Sequence, residues 1–114
     1  LFIADKKISP SDFFDNFKNF KNNLIIIGFQ KTIMVSGGHQ DNQLNDIKSF
    51  INAADDFLEK NSFNKKIFFF VQADGDYCIK KMDFLNKEIK DTDKIFAGTT
   101  IDVNEWIKDV KKQF

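Results

Sequence analysis

Asp74-Gly75-Asp76 sets two carboxylates one residue apart, directly after the apolar run Ile67-Phe68-Phe69-Phe70-Val71 and the pair Gln72-Ala73. Carboxylates are hard oxygen donors, and a D-x-D pair at a strand end has the chemistry of a Mg²⁺ holder. The same three residues also spell a turn, with Asp76 as the N-cap of a following helix. Either role needs a strand to deliver them. Ile67 to Val71 has no polar face, which predicts a strand in the middle of a sheet covered on both sides. In open α/β sheets ligands bind beyond the carboxyl ends of the strands, and Asp74 and Asp76 would stand at that edge.

Three further loops are predicted to reach it, carrying Asp5, Ser36-Gly37-Gly38-His39 and Gly98-Thr99-Thr100. Glycines let backbone approach an anion, and a helix N-terminus favours negative charge. The Ser36, Gly37 and Gly38 stretch is therefore a candidate phosphate cradle, with a tight strand-to-helix turn as its plainer reading. It has no Walker spacing. His39, the single histidine, has no Cys or second His nearby and reads as an exposed loop residue. No Ser–His–Asp or Cys–His pairing follows from spacing.

The elements that would position these loops alternate regularly. Leu1 to Asp5 reads as a short strand, and Ser9-Pro10-Ser11 as a helix start, with Phe13, Phe14, Phe17 and Phe20 on one face. Leu24 to Phe29 is a strand. Thr32 to Ser36 is either another strand or its continuation past a kink at Gly28. Leu44, Ile47, Phe50, Ile51, Ala54, Phe57 and Leu58 follow helical spacing, with Asp46, Asp55, Asp56 and Glu59 on the solvated face. After the Ile67 strand comes a helix with Ile79, Met82, Leu85 and Ile89 inward, then a strand at Ile95-Phe96-Ala97. The last helix is predicted to open at Asp102, with Glu105 completing a capping box, and to bury Val103, Trp106, Ile107, Val110 and Phe114. Strands alternating with helices predict a three-layer α/β/α sandwich with a mostly parallel sheet of four to five strands.

Size and composition narrow the function. The 114 residues suffice for one domain with a real core. The chain begins at Leu1 with no signal-peptide pattern, which reads as a single α/β domain excised from a longer protein. No apolar run approaches the roughly 20 residues that span a bilayer. All 17 basic residues are Lys, and with 15 Phe and frequent Asn and Ile this reads as the coding bias of an AT-rich genome. Without Arg the chain lacks bidentate clamps for phosphate or guanine. Zero net charge predicts weak non-specific affinity for nucleic acid. Cys78 stands alone, which excludes an internal disulfide, a C-x-x-C pair and a cysteine-based zinc site. It reads as a reduced thiol packed near a helix start, in a cytoplasmic protein.

In order along the chain, these pieces resemble a Toprim domain, the Mg²⁺-binding fold of primases, topoisomerases and related nucleases. Leu1-Phe2-Ile3-Ala4-Asp5 stands at that family's first strand, Ser36-Gly37-Gly38 at its turn, and Ile67 to Asp76 at its D-x-D strand. Asp102-Val103-Asn104-Glu105-Trp106 resembles the closing segment of phage primase–helicases. The resemblance implies Asp5 as acid/base or metal ligand, and Asp74 and Asp76 as Mg²⁺ ligands. It further implies Lys6 or Lys7 against phosphate, and a nucleic-acid partner reached through flanking domains. Asp5 replaces the family's Glu, and Lys6 and Ile79 replace two glycines, as in a member that has lost activity. The competing expectation is a non-catalytic interaction or regulatory module, STAS-like or receiver-like. A thioredoxin-like domain, lacking C-x-x-C, would be a non-redox variant.

Overall fold

The computed structural model describes residues 24–34, 40–61 and 66–114. The predicted first strand and helix, with Asp5, Lys6 and Lys7, and the turn Ser36, Gly37, Gly38 and His39 lie outside these residues. The described elements are β1 (Ile25–Thr32), α1 (Gln40–Lys60), β2 (Ile67–Asp74), α2 (Asp76–Lys80), α3 (Met82–Glu88), β3 (Ile95–Gly98) and α4 (Thr100–Lys112). The described strands form one parallel sheet in the order β1-β2-β3. The architecture is the predicted α/β class, with three described strands against the four to five expected.

β2 lies at the centre because its sequence tolerates nothing else. Phe69, Phe70 and Val71 are fully buried, and Ile67 and Phe68 nearly so. Alternate side chains serve opposite faces. Phe69 meets Phe50 and Phe57 of α1 edge-on, at centroid distances of 6.3 and 5.9 Å. Phe68 and Phe70 instead meet Trp106 of α4 edge-on at 6.1 and 6.2 Å, while Phe96 stacks flat on it at 5.5 Å. Crossovers of one hand that step in one direction across a parallel sheet place their helices on one face. Accordingly α1, α2 and α3 share one apolar cluster with Phe69, and α4 builds the other with Phe68 and Phe70.

β1 runs unbroken through Gly28 and ends at Thr32, so Ile33 and Met34 extend no strand, and the rest of the predicted Thr32 to Ser36 segment lies outside the described residues. Gly28 pairs with Phe70, and a β-carbon there would lie closer than van der Waals contact to the Phe70 Cζ, so the glycine makes room for a central aromatic rather than a kink.

Three helix expectations are corrected. The helix after β2 breaks at Lys81 into α2 and α3. Leu85 and Ile89 are buried as predicted, but in α2 the buried position is Cys78, and Ile79 is 60% exposed. Phe114 keeps an edge contact with Phe68 at 5.9 Å yet is 55% exposed, because it follows the end of α4. Asp55 does not lie on a solvated face: it is 9% exposed, and its Oδ2 and Oδ1 accept the N–H groups of Lys90 and Asp91 at 3.0 and 2.9 Å. It fastens the turn that feeds β3 to α1. Asp55→Ala leaves those two amides without this partner and should lower stability by about 2 kcal/mol. Asn, which keeps one accepting oxygen, should lose less. The check is the urea midpoint of both variants.

Candidate functional site

Asp74 ends β2, with its side chain on the face that α4 covers. This follows from parity: Phe68, Phe70, Gln72 and Asp74 alternate to the same side. The next element is set by β3, which pairs with β2 up to Gln72 and Gly98 and so starts α4 beside the β2 terminus. The first N–H groups of any helix lack internal partners. In α4 the Thr100 N–H donates to Asp74 Oδ1 at 3.0 Å, and the Thr100 hydroxyl donates to Oδ2 at 2.6 Å. Gln72 Nε2 donates to Asp74 Oδ2 at 3.3 Å and to Thr100 Oγ1 at 3.0 Å.

Asp74 is therefore a clamp between the end of the central strand and the start of α4. Partial burial pushes its carboxyl up, but the bonds from the Thr100 hydroxyl, the Thr100 amide and Gln72 together outweigh it. The net result is a carboxyl below its ordinary value of 3.8. The helix dipole acts in the same direction, favouring negative charge at this end.

The second acid of α4's entrance is Asp102. The helix opens at Thr99, not at Asp102 as the sequence predicts, and Thr99 with Asp102 forms the capping box. Thr99 donates its N–H and its hydroxyl to Asp102 Oδ2, at 3.2 and 3.0 Å. Asp102 thus serves as the reaching-back member of the motif, and Glu105 instead pairs with Lys108 at 3.6 Å. Together Asp74 and Asp102 supply two carboxylates to one helix N-terminus, the place a bound anion would otherwise occupy.

Asp76 is the first residue of α2 and is exposed. The residue that caps α2 is Gly75, at φ 92°, so the turn reading holds with the glycine in the position predicted for Asp76. Gly75 is wedged against Ile33, the residue that follows β1, which donates its N–H to the Asp74 carbonyl at 3.0 Å and accepts the Tyr77 N–H at 3.1 Å. Tyr77 donates its hydroxyl to Asp41 of α1 at 2.9 Å, and this bond, with some burial and the Asp41 charge, raises the phenol above 10.0.

Cys78 is buried beneath this junction, as the sequence predicts. Burial pushes its thiol above the ordinary value; a backbone hydrogen bond with Ile33 offsets part of the rise and the Asp74 charge adds to it. The thiol stays protonated and packed, unsuited to nucleophilic chemistry.

Of the predicted site residues, the described part brings Asp74 and Asp76 to one strand end, with Thr99 and Thr100 beside Asp74. Asp5, Ser36, Gly37 and Gly38 fall outside it. Among the described residues no three His, Cys, Asp or Glu side chains converge on a cation position, and no described helix is long and apolar enough to cross a membrane. Sequence reasoning placed Thr100 on the right edge but missed that it holds Asp74. Its signal was the pair Thr99-Thr100 following Gly98, an N-cap pattern directly after a strand. Gln72 gave a second: a lone polar residue that breaks an otherwise apolar run. No family model, curated protein or solved structure matches the chain.

Proposed function

We propose that this domain is a non-catalytic α/β interaction module, a catalytically degenerate form of the Toprim-like design carried by a larger nucleic-acid-processing protein. The observation that supports this reading is the commitment of Asp74. Both of its oxygens accept hydrogen bonds from Thr100 and Oδ2 accepts a further one from Gln72, so three of the roughly four lone-pair sites of the carboxylate are engaged in holding the start of α4. The electrostatics agree, since the partial positive charge of the α4 entrance and the negative charge of Asp74 already compensate each other. The Lys-only basic residues and zero net charge support weak contact of this domain with nucleic acid, and on this reading that contact belongs to other parts of the protein.

One observation favours a second reading, in which the domain is a working Mg²⁺ site: Asp74 and Asp76 do leave the carboxyl end of the central strand. On that reading Asp5, Asp74 and Asp76 would hold the ion, which would stabilise charge on a phosphoryl group. Magnesium and manganese titrations followed by amide NMR separate the two. The proposed function predicts no shifts confined to residues 74–76 at millimolar metal. Shifts confined to that loop in the parent chain, and abolished by Asp74→Asn in a variant that stays folded, would support the metal site and overturn the proposal.

A further inference from the structure

We draw no further inference here: the strongest candidate, the open acidic cavity of about 570 Å³ between the C-terminal half of α1 and the loop before β3, lined by Asp55, Glu59, Asp91 and Asp93 beside Lys90, carries nothing because its buried carboxylate, Asp55, is already engaged by the Lys90 and Asp91 amides and no second observation points to a ligand.

Discussion

Phe69→Ala is expected to lower the unfolding free energy by about 3–5 kcal/mol, the range for truncating a buried aromatic. Phe69 is fully buried at the centre of the central strand, where it meets both Phe50 and Phe57 edge-on. Its neighbours are held from two sides, by β-sheet pairing and by the 21-residue helix α1. The site therefore has little freedom to collapse around the cavity, which places the loss toward the upper part of the range. Against a typical total stability of roughly 5–15 kcal/mol, such a loss takes the domain to the margin of folding. A urea midpoint that moves by less than the equivalent of about 1 kcal/mol would show that α1 does not pack on β2 as described.

The second large effect belongs to Gly75→Ala, with an expected loss of about 3 kcal/mol from two sources. The backbone at φ 92° and ψ 155° lies in a region that is essentially restricted to glycine and costs other residues on the order of 1–3 kcal/mol. The added methyl would also lie 2.8 Å from the Ile33 carbonyl carbon, with the carbonyl oxygen closer still. That carbonyl cannot simply swing away, because it accepts the Tyr77 N–H. The substitution should therefore unseat α2 from the end of β1, and hydrogen exchange at Tyr77 should accelerate more than exchange at Phe69. An alanine variant of unchanged stability would mean that Gly75 does not adopt this conformation.

The sequence made the centre of this fold legible and its edges less so. Ile67 to Val71 has no polar face, and burial on both sides is the only arrangement that satisfies such a run. The apolar spacing from Leu44 to Leu58 located α1 equally well. Asp55 was misread because a carboxylate beside Ala54 looks like the start of the solvated face. Its position four residues after Ile51 and three before Leu58 put it at the border of the buried stripe, where only the distant Lys90-Asp91 turn could show its use. The break at Lys81 was hidden for a similar reason: Ile79, Met82, Leu85 and Ile89 keep a passable helical period with no Pro or Gly to mark the stop. At the candidate site, the D-x-D pair was visible as chemistry without geometry. Asp74 meets Thr100 because β3 pairs beside β2, a contact across 26 positions that no local pattern encodes.

Asp74 is a structural clamp, and its pH behaviour follows from the direction of its shift. A carboxyl whose folded value lies below its ordinary 3.8 contributes stability that is present above that value. That contribution is lost as pH falls through the lower folded value. Protonated Asp74 keeps one accepting oxygen and loses the charge that favours both Thr100 bonds. Asp74→Ala should therefore flatten the acid limb of stability against pH, while leaving the region above neutrality parallel to the parent.

The most direct measurement is a double-mutant cycle of Asp74→Ala and Thr100→Ala at neutral pH, read by urea unfolding. Thr100→Ala removes the hydroxyl but keeps the backbone N–H, so the cycle reads the coupling between the Thr100 hydroxyl and the Asp74 carboxylate, including the part that Gln72 bridges. The clamp predicts a favourable coupling of about 1 kcal/mol, within the range for residues that share a hydrogen-bond network, and its weakening once Asp74 is protonated. Losses that simply add at neutral pH, within about 0.3 kcal/mol, would contradict it and leave the Asp74 carboxylate available for other chemistry.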